Sequence, residues 1–391
     1  MSQTLIDTYK RLPVEFARGE GAWLWDTQGR SYLDALAGVA VCSLGHSHPA
    51  ITEVICEQAR TLLHCSNHYE IGAQRLLADK LTSLSGMQNV FFSNSGAEAN
   101  ETAIKIARLY ASRRKIKNPS IIVMEGAFHG RTLATLTASG NRKIQAGFEP
   151  LVQGFLRAPY GDLDSLETIA KNSAEVVAVL VEPVQGEGGV IVPDPQYLRD
   201  LRALCDRHGW LLILDEIQTG LCRTGQWFAY QHSGILPDVL TLAKSLGNGI
   251  PIGACLARGD AALALQPGNH GSTFGGNPFA CRIALRVLET MEKLHLDTRA
   301  AQLGDRLRQA LNNTLGALPG VKQIRGLGMM IGIELDRPCT ELPRLALESG
   351  LLINVTADSV IRLLPPLILS DADAEQLVTR LTALVQQFLK H

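Results

Sequence analysis

The chain has 391 residues, of which 46% are hydrophobic and 19% are charged, and its formal net charge at pH 7 is −1. A near-neutral chain offers no basic surface for nucleic acid, and no apolar run approaches the roughly 18 residues of a membrane span. This length predicts about two domains. The start, MSQTLIDTYKRLPVEF, lacks the apolar segment of a signal peptide, and the eight cysteines form no CxxC pair. We therefore expect a cytoplasmic protein with reduced thiols.

The first predicted element is a strand followed by a turn within residues 21–30 (GAWLWDTQGR). Five short apolar runs then alternate with amphipathic helical patterns, such as residues 97–114 and 195–208. The runs are residues 90–92, 121–124, 176–181, 210–214 and 239–243. Near-continuous apolarity is typical of strands buried on both faces of a largely parallel sheet. From about residue 280 a long helix is predicted, then strands at 328–335 and 360–364 and a closing helix.

This alternation predicts an α/β fold with helices on both sides of the sheet. We predict a large domain, residues 50–278, around a mostly parallel central sheet. A small α/β domain is predicted from both termini, residues 1–49 and 279–391. Ligands of open α/β sheets bind at the carboxyl ends of the strands, so the residues after each strand form the candidate site.

The residues after the first two central strands could bind an anion. Ser95-Gly96-Ala97 opens a helix, whose free N–H groups and positive dipole could hold a phosphate. The alternative is an N-cap serine without a ligand. In GAFHGRT, residues 126–132, Phe128 could supply a stacking surface and Arg131 an anion clamp. Each could equally be a surface residue, and a structural role is at least as open for His129.

Acidic residues follow the next two strands. Glu182 could pair with an arginine or remain a solvated carboxylate. Asp215 and Glu216 are adjacent on an extended chain and point to opposite faces, so they are poor candidates for the facing carboxylates of a glycosidase. Asp215, at the end of so apolar a strand, needs a cation. Either a protonated ring nitrogen or a protein arginine would serve.

Lys244 ends the fifth run, just before a glycine-rich turn. A lysine usually extends its amine to water, and a buried charge is costly unless it is paired or the pKa falls. Here a phosphate-type loop, an aromatic ring and Asp215 are expected nearby. Together they suit a phosphorylated basic aldehyde that binds lysine, namely pyridoxal phosphate. Lys244 is then the expected nucleophile, and Asp215 would keep the ring nitrogen protonated so that the ring accepts electrons.

The chain resembles the class III aminotransferases, of the fold-type I pyridoxal-phosphate family, over nearly its whole length. The motifs that carry this resemblance are Ser95-Gly96-Ala97, Phe128-His129-Gly130-Arg131, Asp215-Glu216-Ile217-Gln218, Lys244 and GSTFGGNP at residues 271–278. The resemblance implies that Ser95, Gly96 and Ala97 bind the phosphate of the cofactor and that Phe128 stacks on its ring. It also implies that Asp215 contacts the pyridine nitrogen, that Gln218 lies near the phenolic oxygen, and that Lys244 forms the covalent link. Thr273 is expected to reach the phosphate of a neighbouring subunit, which implies a homodimer with shared active sites.

Within the family, several stretches are similar to members that transfer the δ-amino group of N-acetylornithine to 2-oxoglutarate in arginine biosynthesis. These stretches are residues 44–49, 94–100, 128–132 and 182–187. Val39 occupies the position where ornithine aminotransferases carry a tyrosine that contacts the α-amino group of ornithine. An apolar residue there suits a substrate whose α-amino group is acylated. Succinylornithine, succinyldiaminopimelate, ornithine and 4-aminobutyrate remain alternative substrates.

Two arginines are expected to bind substrate carboxylates. Arg362 would hold the α-carboxylate of 2-oxoglutarate through a bidentate fork. Arg131 would hold the distal carboxylate, or the α-carboxylate of a substrate that reacts at its δ-amine. Glu182 could neutralise the arginine that is not in use and act as a switch between the two substrates. Ser272 is a further expected substrate contact.

Two other classes of function stay open. A metal hydrolase would use His46 and His48, but Gly45 and Pro49 flank the pair and no acidic ligand is obvious; we expect no metal. A binding protein would keep the fold without the chemistry, and the intact catalytic motif around Lys244 argues against it.

Overall fold

The computed structural model describes residues 4–390. The strands, in chain order, are β1 (Phe16–Glu20), β2 (Trp23–Asp26), β3 (Ser31–Asp34), β4 (Asn89–Ser93), β5 (Ser120–Met124), β6 (Phe155–Ala158), β7 (Val176–Val181), β8 (Leu211–Asp215), β9 (Val239–Leu242), β10 (Gly253–Ala257), β11 (Val321–Leu327), β12 (Met330–Leu335), β13 (Leu351–Leu352), β14 (Asn354–Thr356) and β15 (Val360–Leu363). The helices are α1 (Ala37–Ala40), α2 (Pro49–Thr61), α3 (Gly72–Ser85), α4 (Gly96–Arg113), α5 (Leu133–Ala138), α6 (Arg142–Gln145), α7 (Leu163–Asn172), α8 (Tyr197–His208), α9 (Gly259–Ala262), α10 (Pro278–Lys293), α11 (Leu296–Leu315), α12 (Leu342–Glu348) and α13 (Asp371–Leu389).

The central sheet has seven strands in the order β4-β10-β9-β8-β7-β5-β6. Every neighbouring pair is parallel except the two that β10 makes with β4 and β9. The predicted α/β fold with a mostly parallel sheet is therefore confirmed, and the five predicted strands are β4, β5, β7, β8 and β9. The sequence did not predict β6, a half-buried edge strand containing Arg157, or β10 (GACLA), which is rich in small residues.

Both faces of the central sheet are buried, because successive side chains along a strand point to opposite sides. In β5, Ile122 and Met124 belong to the core cluster that includes Leu201 of α8. Ile121 and its neighbours on the other face belong to the cluster that includes Ile104 of α4. Full burial of such a side chain contributes about 1.5–3 kcal/mol. These strands are apolar along their whole length because each face has a helix layer to cover it.

Helix α4 begins where β4 ends and directs its N-terminus at the carboxyl edge of the sheet. Ser95 is its N-cap, with extended backbone angles and a side-chain oxygen that accepts from the Glu98 N–H at 3.2 Å. The inner face of the helix carries small and branched apolar residues such as Ala103 and Ala107, which let it pack closely on the sheet. It also buries a polar residue, Asn100.

The two ends of the chain form two further sheets, ordered β1-β2-β3-β13 and β11-β12-β15-β14. The parallel pairing of β13 with β3 joins the N-terminal hairpin to the C-terminal part. This pairing places strands from both ends of the chain in one sheet. The small domain and its boundaries at residues 50 and 278 stay predictions. Across residues 4–390, no helix is both long and apolar enough to cross a bilayer.

Candidate active site

A cavity of about 420 Å³ lies at the carboxyl ends of β5, β7, β8 and β9 and at the N-terminus of α4. This volume suits a single small-molecule ligand. The cavity brings together nine of the residues that the sequence singled out: Ser95, Gly96, Ala97, Phe128, Arg131, Glu182, Asp215, Gln218 and Lys244. Ser272 and Thr273 do not line it, and Arg362 reaches it through its contacts with Gln218 and Glu187.

Lys244 follows β9 and is held in the left-handed backbone region, with φ at +45°. This region is costly for a residue with a Cβ and persists only where the surrounding structure fixes it. Within residues 4–390 the lysine amine makes no hydrogen bond and no ion pair. Burial, reinforced by the positive charge of Arg362, lowers the pKa of Lys244 to about 8. This direction favours the neutral amine, which is the nucleophilic form.

Asp215 ends β8 and is 4% exposed. Its Oδ2 accepts from Asn100 Nδ2 at 2.7 Å and from His129 Nδ1 at 2.8 Å, and its Oδ1 accepts from the Ile217 N–H at 3.1 Å. In the described part of the chain no lysine or arginine pairs with this carboxylate. A buried acid that lines the cavity without such a cation is suited to a positively charged ring nitrogen.

The N-terminus of α4 points free N–H groups to the edge of the cavity. The N–H groups of Gly96 and Ala97 find no acceptor among residues 4–390, while Ser95 caps the next turn. A Cβ on Gly96 would lie 2.7 Å from Cδ1 of Ile217, so a larger residue would require the Ile217 side chain to shift. The half-buried Phe128 lines the same cavity. Free N–H groups at the positive end of an 18-residue helix are suited to a phosphate.

Arg362, in β15, is 1% exposed and is neutralised by Glu187. Its Nη1 donates to Glu187 Oε1 at 2.6 Å and to Gln218 Oε1 at 3.3 Å, and its Nε donates to Asn354 Oδ1 at 3.2 Å. The Glu187 side chain is 38% exposed, so it can leave the arginine for water without being trapped as a buried charge. Arg362 is thus available to an incoming carboxylate that replaces Glu187.

The position of Glu187 corrects the expectation that Glu182 neutralises the unused arginine. Glu182 is buried, and its carboxylate accepts from the N–H groups of Phe128 at 2.9 Å and Gly186 at 3.1 Å. Burial raises the pKa of Glu182 to about 7. Glu182 and Glu187 both lie in the segment EPVQGEGG. The path of the loop determines which of the two carboxylates forms the ion pair with Arg362.

Arg131 presents an unpaired guanidinium to the cavity. It is exposed, and its Cζ lies 5.7 Å from the centroid of the Phe128 ring. Within the described residues it has no acidic partner and no hydrogen bond. The site therefore holds one arginine that is free for a carboxylate and one, Arg362, that is already paired.

The loop at residues 271–278 lies outside this cavity. The Ser272 hydroxyl accepts from the Gly275 N–H at 2.9 Å, within the loop, and from Nδ2 of the cavity-lining Asn94 at 3.2 Å, so it ties the loop to the wall of the cavity. Its contact with substrate stays a prediction. Thr273 is exposed, and the neighbouring Phe274 is 61% exposed.

The role of Val39 towards the substrate stays a prediction, and Val39 is not part of the cavity lining. Val39 has φ at +66° and packs in a small apolar cluster, whereas Val41 lines the cavity. His46, proposed above as a metal ligand, has its Nε2 2.8 Å from Asp34 Oδ2. Over residues 4–390 no group of three or more histidines, cysteines or acids is placed to hold a metal ion. The described residues therefore offer no metal site for the metal hydrolase alternative.

Comparison with known proteins assigns the family. The model of the aminotransferase class-III family matches residues 6–385. The chain belongs to the class-III aminotransferases. It is 57% identical over 386 residues to the acetylornithine aminotransferase of Nitrosomonas europaea, covering 99% of this chain and 98% of that protein.

Two solved structures of class-III relatives share the fold. An ornithine aminotransferase from Toxoplasma gondii matches with a TM-score of 0.94 at 37% identity, covering 98% of this chain and 91% of that one. The acetylornithine aminotransferase from Elizabethkingia anophelis matches with a TM-score of 0.87 at 35% identity, covering 98% and 96%. The resemblance and the enzyme class predicted from the sequence are confirmed.

Three residues of this class-III aminotransferase site were missed or undervalued by the sequence reasoning. Glu187 was passed over in favour of Glu182, and His129 was given no contact with Asp215. Asn100 was not considered at all. The sequence signal for Asn100 is an amide among the apolar residues on the inner face of α4. A buried amide is normally hydrogen-bonded, so this position indicates polar partners inside the fold.

Proposed function

We propose that this aminotransferase uses pyridoxal phosphate to transfer the δ-amino group of N-acetylornithine to 2-oxoglutarate. The products are N-acetylglutamate 5-semialdehyde and glutamate, in arginine biosynthesis. The observation that carries the proposal is the unpaired amine of Lys244, with a pKa of about 8, in one cavity with Asp215 and the N-terminus of α4. The choice of substrate is supported by relatives described as acetylornithine aminotransferases. The cytoplasmic location stays a prediction.

The residues of the cavity fit pyridoxal phosphate. Gly96 and Ala97 offer free N–H groups for a phosphate, Phe128 offers a ring face, and Asp215 offers a buried carboxylate for a ring nitrogen. Pyridoxal phosphate is described, at partial occupancy, in the active site of the T. gondii enzyme. When bound, this cofactor supplies an electron-accepting ring that stabilises negative charge on the carbon next to the reacting nitrogen.

Lys244 and Asp215 would manage the protons of the reaction. The neutral amine of Lys244 would attach the cofactor through its aldehyde. With substrate bound, a free Lys244 amine would accept a proton from the δ-carbon and later return one, as base and then acid. Asp215, whose buried carboxylate has no lysine or arginine partner in the described chain, would pair with a protonated ring nitrogen.

The two arginines explain how one site can accept two different substrates. N-Acetylornithine reacts at its far end, so its α-carboxylate would bind the unpaired Arg131 while Arg362 stays with Glu187. With 2-oxoglutarate, Glu187 would leave, Arg362 would bind the α-carboxylate and Arg131 the distal one. Glu187, rather than Glu182, is therefore the proposed switch.

A homodimer is part of the proposal. Thr273 is exposed and does not line the cavity of its own chain, as expected of a residue that serves a neighbouring subunit. Three large apolar side chains close to it in space or sequence are also exposed: Leu63 at 54%, Phe274 at 61% and Tyr69 at 71%. Exposed apolar groups of this kind are typical of protein interfaces.

The first experiment is the visible spectrum of the purified protein loaded with pyridoxal phosphate. We expect a yellow absorbance band that is lost when N-acetylornithine is added without a keto acid and returns with 2-oxoglutarate. Loss of the band only with succinylornithine, succinyldiaminopimelate, ornithine or 4-aminobutyrate would keep the chemistry and replace the substrate. Failure to develop any band would overturn the cofactor assignment.

Replacing Glu187 by glutamine is expected to change substrate preference, because Arg362 then lacks its anionic partner and competes with Arg131 for carboxylates. The kcat/KM for N-acetylornithine, relative to that for glutamate, should fall by about 10-fold, the effect of one charged hydrogen bond. Glu182→Gln is the matched variant and should alter this ratio less, since its carboxylate meets only backbone N–H groups. A change confined to Glu182→Gln would reject the switch role of Glu187.

A further inference from the structure

Asn100 is a fully buried amide near the start of α4 that joins three elements of the active site. Its Nδ2 donates to Asp215 Oδ2 at 2.7 Å and to the backbone oxygen of His129 at 2.8 Å. Its Oδ1 accepts from the hydroxyl of Thr241, in β9, at 2.8 Å. Both donors and one acceptor position of the amide are therefore in use, away from water.

This network fixes the direction of the amide and the position of the acid. Turning the Asn100 amide over would place its oxygen against the Asp215 carboxylate, at the cost of the 2.7 Å hydrogen bond. Within residues 4–390, Oδ2 of Asp215 accepts from Asn100 Nδ2 and lies 2.8 Å from His129 Nδ1, and Oδ1 accepts from the Ile217 N–H. These contacts fix both oxygens of the acid, and the one to Asn100 is the shortest of them.

We propose that Asn100 is a positioning residue for Asp215: it holds the carboxylate in its place in the lining of the cavity. Through the same amide it ties the acid to the helix that offers N–H groups to a phosphate and to the strand that leads to Lys244. Thr241 acts one step further back, by fixing the amide. This inference rests on the proposed function, in which Asp215 holds a proton on the ring nitrogen of the cofactor.

Four other titratable groups surround Asp215 and must be kept unchanged in any test. They are His129 from the loop after β5, Glu182 after β7, Glu216 next along the chain, and Lys244 after β9. None of these is hydrogen-bonded to the side chain of Asn100, whose only contact with His129 is to the backbone. Substitutions at Asn100 therefore act on Asp215 without removing another charge.

The test compares five variants of the full-length protein loaded with pyridoxal phosphate. Asn100→Ala removes the donor, and Asn100→Asp replaces it with a carboxyl group at the same place. Two carboxyl groups this close share one proton, so the second substitution disturbs the acid directly. Thr241→Val removes only the hydroxyl that fixes the amide, and Thr241→Ser keeps that hydroxyl. Asn172→Ala, on the exposed surface of α7, is the control.

The readouts are the affinity for pyridoxal phosphate from fluorescence titration of the cofactor-free protein, the pH dependence of the visible band, kcat, KM and the melting temperature. For Asn100→Ala we expect affinity and kcat to fall by about 10- to 100-fold, the loss of one hydrogen bond to a charged group, with KM changed by less than about 3-fold. Asn100→Asp should shift the pH dependence of the band. Thr241→Val should lose more affinity than Thr241→Ser, and Asn172→Ala should match the wild type.

The outcomes separate this inference from the proposed function. A wild-type protein that takes up no pyridoxal phosphate would defeat the proposed function itself. A normal wild type, with Asn100 variants that lose only melting temperature and keep the affinity and pH dependence of the band, would overturn the positioning role. If the Asn100 variants do not fold, the decision falls to Thr241→Val: equal cofactor affinities for the valine and serine proteins would overturn the inference.

Discussion

Replacing Lys244 by alanine is expected to reduce turnover by about 10⁴-fold or more, because the change removes both the nucleophile and the group that moves the proton. The visible band of the lysine-bound cofactor should disappear as well. The fold should be retained, since the lysine amine makes no hydrogen bond or ion pair within residues 4–390 and its burial as a cation costs free energy. Steady-state rates with N-acetylornithine and 2-oxoglutarate, measured beside melting curves, test this expectation.

The control is Lys143→Ala. Lys143 is exposed and its only ion pair is to the exposed Asp358 at 3.4 Å, a contact worth little in water. Its loss should leave the rate and the visible band within about 2-fold of the wild type. Normal turnover by the Lys244→Ala protein would remove the basis of the mechanism, because Lys244 supplies the one side-chain amine that residues 4–390 contribute to the cavity lining.

The central strands were predictable from sequence because each is apolar along its whole length. That pattern arises only where both faces are covered, as helices α4 and α8 cover β5, β7 and β8. β10 escaped prediction because GACLA is short and rich in small residues, and its antiparallel direction depends on pairing with β4 and β9. Such pairing is a tertiary property that no local pattern contains.

The sequence predicts the site residues that lie at the end of a buried strand. It does not predict which side chain a loop presents to the site. Lys244 and Asp215 each follow a buried strand, so the topology alone brings them to one edge. The partner of Arg362 depends on how the glycine-rich segment after β7 turns, and that turn presents Glu187 instead of Glu182. The role of Asn100 could not be predicted locally, because its side chain forms hydrogen bonds with residues 29, 115 and 141 positions away in the sequence. Those partners come together only in the folded chain.

Replacing Arg362 by alanine is expected to affect one half of the reaction far more than the other. A bidentate carboxylate clamp comprises two charged hydrogen bonds, so its loss should lower kcat/KM for 2-oxoglutarate by about 10²- to 10⁴-fold. The amine half-reaction with N-acetylornithine should change by less than about 10-fold, because there Arg362 is occupied by Glu187. The two halves are measured separately, as loss of the visible band with the amine and its return with the keto acid.

Arg362→Lys and Arg337→Ala sharpen this test. Lysine keeps the positive charge but not the planar fork, so Arg362→Lys should recover only part of the lost kcat/KM. Arg337 is exposed and bonded to its neighbour Asp336 at 2.7 Å, so its removal should leave both half-reactions unchanged. Because the half-buried Glu187 can turn to water when Arg362 is removed, a general collapse of activity is not expected. An equal loss in both half-reactions would show that Arg362 supports the fold of the site rather than the binding of the keto acid.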